Sequence, residues 1–139
     1  MKRSLGICAL IVVNYCVGYA QQDPCPALLP TLRTWDALYK SYTSYPSCDD
    51  GFIGENYSES VARILVDRWS TLPRLASLAR ENVDFQRFVL KHVDATLDMN
   101  DVKKIRTRAI TQCPEGLHGL CKDLRSQADS ALKQGSTPR

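Results

Sequence analysis

Between Cys48 and Trp69 the chain carries a single apolar stripe at helical spacing, and no other feature limits the fold as much. Ile53, Tyr57, Val61, Ile64, Leu65, Trp69 and Leu72 recur at steps of three and four residues, which places them along one side of an α-helix. The other side reads Glu55, Glu59, Arg63 and Asp67, where Glu59–Arg63 and Arg63–Asp67 are four apart and can pair weakly. A segment of about six turns with one apolar side must be covered along that side by other elements, so it is read as the central helix. Asp49 or Asp50 can cap its start, offering a carboxylate to the free amides of the first turn. Gly51 and Gly54 weaken that turn as helix and suit a close approach of other backbone.

The flanking segments show the same period. Leu32, Trp35, Leu38 and Tyr39 predict a short helix that ends in a turn at Ser44, Pro46 and Ser47. Ser70-Thr71-Leu72-Pro73 is a restart signal, a hydroxyl residue able to cap followed by a proline in the first turn. It opens a helix through Leu75, Ala76, Leu78 and Ala79 that weakens at Glu81-Asn82. Asp84 can cap the next helix, whose Phe85, Phe88, Val89, His92 and Val93 share one face. After the polar turn Thr96–Asn100, Asp98 can cap a helix with Asp101 three residues on, and Val102, Ile105 and Ala109 face inward. Pro114 stops that helix. Gly116 and Gly119 flank a corner, and a last helix runs through Leu117, Leu120, Cys121, Leu124, Ala128, Ala131 and Leu132. The expectation is an all-α bundle of five or six helices over residues 31–133, followed by a flexible tail, 134–139.

Ahead of the bundle, Lys2 and Arg3 precede an apolar run from Leu5 to Val17, and Gly18-Tyr19-Ala20 supplies the small residues a signal peptidase reads. Residues 1–20 are therefore read as an export signal. Their apolar run is shorter than the roughly 20 residues that span a bilayer, and no membrane association is expected after cleavage. Residues 21–30, with Pro24, Pro26 and Pro30, form an extended lead-in. Removing the signal leaves 16 basic and 15 acidic residues, so the overall charge of +3 was mostly the signal's own. No basic stripe of a nucleic-acid binder remains.

Cleavage also leaves four cysteines, Cys25, Cys48, Cys113 and Cys121, an even number that in an exported chain implies two disulfides with three possible connectivities. Cys113 paired with Cys121 across the Pro114–Gly119 corner, leaving Cys25 for Cys48, is the favoured arrangement; Cys48 with Cys113 is the alternative that would overturn it. The seven residues between Cys113 and Cys121 do not suit a zinc site.

The residues that could carry chemistry have structural explanations. His92 sits on an apolar face, as hydrogen-bonded core histidines do, and His118 falls in the Gly116–Gly119 corner as a surface residue. No serine stands in the context of a nucleophile to complete a triad with either, and an oxidised Cys48 cannot act as one. Asp94, Thr96, Asp98 and Asn100 imitate the alternating ligands of a calcium loop. Its sixth position, however, is Met99 rather than glycine, and its twelfth is Ile105 rather than glutamate. Neither a metal nor another cofactor is expected. Asp49-Asp50 is explained as a helix start.

Taken together, Cys48-Asp49-Asp50-Gly51, Tyr57-Ser58-Glu59-Ser60-Val61, the phrase Phe88 to Thr96, Gln112-Cys113-Pro114 and Leu120-Cys121 resemble a family in their order and spacing. It is that of the periplasmic immunity proteins that neutralise class-four amidase effectors of the type VI secretion system. The resemblance covers roughly Thr34 to Leu132 and leaves Cys25 and the lead-in outside it. It implies a small helical inhibitor rather than an enzyme, commonly a homodimer, which plugs the cleft of a cysteine–histidine peptidoglycan amidase. A plug must be a rigidly supported polar projection. Asp98, Met99, Asn100 and Asp101 are the first choice for the contact, with Glu81 and Asp84 the second. A helical carrier of small hydrophobic ligands is the alternative reading, and a secreted hydrolase the third.

Overall fold

The computed structural model describes residues 32–136. Residues 1–31, where the expected export signal and the lead-in with Cys25 fall, and residues 137–139 lie outside that range. Six α-helices follow one another: α1 Trp35–Ser44, α2 Gly51–Asp67, α3 Leu72–Glu81, α4 Val83–Lys91, α5 Met99–Thr111 and α6 His118–Gly135. Short 3-10 turns at Pro46–Cys48 and Trp69–Thr71 join the first three, and the described residues contain no strand. The helix α6 ends at Gly135, two residues beyond the expected boundary of the bundle.

α2 supplies the centre. Tyr57, Val61, Ile64 and Leu65 are all but fully buried, as their spacing predicts, whereas Glu55, Glu59, Arg63 and Asp67 are exposed. Of the two pairs expected along that outer side, Arg63 binds Glu59. Asp50 is the cap, its Oδ1 accepting from the Gly51 amide at 2.7 Å, and Gly51 takes a left-handed φ of +51° that a side chain would strain. A Cβ on Gly54 would meet Asp49 Oδ1 at an ordinary 3.6 Å, so no close backbone approach demands that glycine.

Three sequence expectations are corrected here. The stripe is not one helix, because α2 ends at Asp67. Arg68 leaves the helical region and its amide closes on the Ile64 carbonyl. Trp69 and Leu72 stay in the same core, but from the 3-10 turn and from α3. Thr71 does not cap α3 through its side chain: its hydroxyl donates to the Arg68 carbonyl at 2.7 Å, and Pro73 fills the first turn, where no amide is needed. The cap of α4 is Asn82, which accepts from the Asp84 amide at 3.0 Å; Asp84 itself is the second residue of the helix and pairs with Arg87.

The helices α5 and α6 form an antiparallel hairpin. Cys113–Cys121 closes one end of it, Met99 meets Gly135 at the other, and Arg106 bonds Asp129 between them. The disulfide is the expected one, and Gly116 turns the corner beneath it with φ +77°. Cys48 is buried and disulfide-bonded too, while the Cys25 expected opposite it lies outside the described residues. α5 lies parallel to α2. Arg108 Nη1 donates to the Leu65 carbonyl at 3.3 Å, and Trp69 Nε1 to the Gln112 carbonyl at 2.7 Å.

On the other flank of α2 an aromatic cluster joins α1 and α4: Tyr39 with Phe85, Tyr42 with Phe88, and Tyr57 with Phe88, with ring centroids 4.9 to 5.2 Å apart. Leu65 has no solvent exposure, so Leu65→Ala removes its transfer energy and leaves a cavity, and unfolding free energy is expected to fall by about 2–5 kcal/mol. Phe52 is 76 % exposed, and Phe52→Ala is expected to stay within about 0.5 kcal/mol. Paired denaturant titrations check both; similar losses would contradict the placement of the core.

Candidate functional site

The turn between α4 and α5 is ordered by two aspartates. Asp94 Oδ1 accepts from the Thr96 amide at 2.7 Å and the Thr96 hydroxyl at 2.5 Å. Asp98 Oδ1 accepts from the amides of Asn100 at 2.8 Å and Asp101 at 3.4 Å, and so caps α5 as its sequence position predicts. The turn expected over Thr96–Asn100 is shorter, because α5 starts at Met99; Asn100 is exposed in the first turn of that helix, and Asp101 reaches Lys104 Nζ at 2.9 Å. Met99 differs from its neighbours. It is half-buried against the core, with Sδ only 2.6 Å from where a Cβ on Gly135 would stand, so it supports the turn more than it projects from it.

Beside this turn runs a groove of about 560 Å³ between α2 and the start of α5. Glu55, Glu59, Arg63 and Asp67 form one wall, and Thr96, Asp98, Asp101 and Lys104 the other. Asp98 and Asp101 are thus brought together at a charged groove. Glu81 and Asp84 are not part of it: they sit where α3 meets α4, at the opposite end of α4.

Under the turn lies a buried polar chain that sequence reasoning did not assemble. Ser58 and His92, each 2 % exposed, meet at 2.9 Å between Oγ and Nδ1. Ser58 Oγ donates to Asp94 Oδ2 at 2.8 Å. On the far side of the imidazole, Nε2 lies 3.1 Å from Asp49 Oδ1 without making a directed hydrogen bond, and Asp49 Oδ2 accepts from Lys91 Nζ at 2.8 Å. Asp49 and Asp50 therefore divide their work: Asp50 caps α2, and Asp49 turns towards His92 and Lys91. The rings of Phe88 and Tyr57 pack on the imidazole at 4.5 and 5.7 Å. A signal for this existed in Ser58, a polar residue on the inner side of α2, and in His92 on the inner side of α4. Neither reveals its partner, which lies 34 residues away.

Serine, histidine and aspartate are in reach of one another here, but their roles are not those of a hydrolytic triad. A nucleophilic serine must give its hydrogen to the imidazole. Ser58 has the Asp94 carboxylate as a second acceptor for that hydrogen and almost no access to solvent, so a substrate carbonyl cannot reach its Oγ. The arrangement can instead tie three segments together: α2 through Ser58, the end of α4 through His92, and the 96–101 turn through Asp94. Among the described residues no group of three or more histidines, cysteines or acids is arranged to hold a metal. His118 is exposed at the first position of α6.

Burial holds the His92 imidazole below its ordinary pKa; Asp49 draws it up, Lys91 pushes it down and Asp94 draws it up, and burial dominates. The folded state then binds this proton less readily than the unfolded chain, so unfolding free energy is complete above about pH 6.5 and declines as pH falls below it. Urea titrations from about pH 7.5 to about pH 5 are expected to show that decline, and His92→Gln to make it shallower. A decline of equal slope in both proteins would remove His92 as its source. Comparison of the chain with family models, with curated proteins and with solved structures gave no match.

Proposed function

We propose that the protein is an exported immunity protein of the periplasm that binds a type VI secretion peptidoglycan amidase and inhibits it by plugging the substrate cleft. The reading starts from the ordered set of segments that resemble the class-four amidase immunity family, among them Cys48 to Gly51 and Phe88 to Thr96. The observation that supports it best is the 96–101 turn. Four hydrogen bonds to Asp94 and Asp98 keep it in one shape, while Asn100 and Asp98 remain exposed. A segment that enters a cleft loses less conformational entropy when it is ordered beforehand, and backbone ordering costs about 1–2 kcal/mol per residue.

In this reading Asp98, Asn100 and Asp101 make the contact, Met99 holds the turn from beneath, and a second copy completes a homodimer. The second-choice segment, Glu81 and Asp84, is ordered by one side-chain cap, Asn82 to the Asp84 amide, where the 96–101 segment has four such bonds. A carrier of hydrophobic ligands would need an enclosed apolar chamber, whereas the groove between α2 and α5 is lined mainly by charged side chains. The proposed protein performs no reaction and uses no cofactor.

The test pairs the protein recovered from the periplasm with a peptidoglycan amidase encoded beside its gene, where the neighbourhood holds one. Calorimetry should give a tight complex, and peptidoglycan hydrolysis should stop at equimolar protein. Asn100→Trp makes the tip bulky without removing any of the four bonds, and is expected to weaken binding at least about tenfold, or about 1.4 kcal/mol. Absence of binding together with undiminished hydrolysis would sink the reading, and full affinity in Asn100→Trp would move the contact off this turn.

A further inference from the structure

The hydrogen count along the buried polar chain does not close for a neutral His92. Ser58 has a single hydrogen and three acceptors within reach, Asp94 Oδ2 at 2.8 Å, His92 Nδ1 at 2.9 Å and, farther off at 3.3 Å, the Gly54 carbonyl of its own helix; the two nearer ones compete for it. If Ser58 bonds Asp94, then Nδ1 must carry the imidazole hydrogen and donate to Ser58. Nε2 is then a bare lone pair 3.1 Å from the Asp49 carboxylate, and it lacks a hydrogen-bond partner. If the imidazole hydrogen moves to Nε2 to serve Asp49, Nδ1 becomes an acceptor and takes the Ser58 hydrogen away from Asp94. Two aspartates thus compete for one imidazole hydrogen through opposite ends of the ring. A second proton ends the competition, because both nitrogens then donate and Ser58 is free to bond Asp94 alone.

Asp94 is also the residue that binds Thr96 through its other oxygen. We propose that the protonation state of His92 sets how firmly Asp94 holds the 96–101 turn, making Ser58, His92 and Asp49 positioning residues for that turn. As a statement about partner binding, this rests on the inhibitory reading given above; as a statement about the turn, it stands on the hydrogen-bond chain alone. Asp49 and Asp50 face His92 from the lead into α2. Tyr57 and Glu55 face it from α2, Lys91 from the end of α4, and Asp94 from the turn. Lys91 binds Asp49, Asp50 is taken up by the Gly51 amide, Glu55 is exposed on the outer side of α2, and the Tyr57 hydroxyl is bonded to Ser41 at 2.7 Å, which leaves Asp49 and Asp94 as the groups that answer to the imidazole.

Nitrogen-15 NMR on the protein recovered from the periplasm reads both ends of the chain. The Thr96 amide is expected to titrate with the midpoint of the His92 ring. In Ser58→Ala the ring should still titrate and the Thr96 response should be lost. Asp49→Asn, which keeps the side-chain volume and removes the competing carboxylate, should also abolish the Thr96 response, and it serves where Ser58→Ala does not fold. A Thr96 amide that stays flat while His92 titrates would overturn the proposal. So would a response that persists in Ser58→Ala, or a His92 that takes up no proton before the protein unfolds. Binding to the amidase is then expected to tighten about fivefold as His92 becomes protonated, the equivalent of one neutral hydrogen bond, and to be insensitive to this step in Ser58→Ala. Constant affinity with a responsive Thr96 would overturn the link to binding. An amidase that does not bind at any pH would count against the inhibitory function, with the Thr96 titration still judging the coupling by itself.

Discussion

Val61 and Leu65 stand four residues apart on α2, both with no solvent exposure, and such a pair is dry only where helices cover it from more than one direction. That requirement places the rest of the chain. α5 lies alongside and is tied on by Arg108 to the Leu65 carbonyl and by Trp69 to Gln112; α4 and α1 close the other flank through Phe88, Tyr57 and Ser41. Magnitudes show which contacts matter. Each large apolar side chain of the stripe is worth about 1.5–3 kcal/mol on burial. Ion pairs such as Arg63–Glu59 and Arg87–Asp84, with side chains about half exposed or more, contribute between about 0 and 1 kcal/mol. The bundle is held by α2's inner side, and the surface pairs adjust it.

That inner side is not wholly apolar. Tyr57 and Ser58 put two hydroxyls into it, and a buried hydroxyl without a partner costs about 1–3 kcal/mol. Tyr57 finds Ser41 of α1, and Ser58 finds His92 and Asp94. Each bond requires a particular register between α2 and its neighbour, which apolar packing alone would leave free to slide. The polar positions of α2 therefore fix the alignment of helices that the apolar positions bring together.

The helices themselves were legible because their buried residues recur at three and four residue steps, and this holds for α2, α4, α5 and α6 alike. The end of α2 was not, since Arg68 and Trp69 carry neither glycine nor proline and the apolar spacing continues through Leu72 across a break in the backbone. Asn82 and Asp84 are both capping residues two positions apart, and only the backbone conformation at Asn82 decides between them. The Asp98 cap and the Cys113–Cys121 bridge were legible because both are local. The chain from Asp49 to Asp94 was not, because it joins residues 34 to 43 positions apart whose contacts depend on how α2 and α4 pack. Residue type pointed to a buried histidine with a hydrogen bond; it could not name the serine that supplies it.

The two ends of α4 show why a polar segment can be rigid at one and ordinary at the other. At its start, Asn82 holds one amide, and Asp84 and Arg87 pair on the exposed surface. At its end, the chain must travel from the buried His92 and Val93 to the exposed Asn100 within a few residues. The His92 and Val93 amides still reach carbonyls of α4, but those of Thr96 and Asn100 farther along have no helix carbonyl to bond, and unsatisfied amides beside a core are costly. Asp94 and Asp98 supply the acceptors from side chains, at one and the other side of Thr96 and Leu97. Asp94 reaches inward through its second oxygen to Ser58, so the turn is fastened to α2 as well as to itself. The exposed tip inherits its order from the buried serine and histidine beneath it, and a change of one proton there is felt where the chain meets solvent.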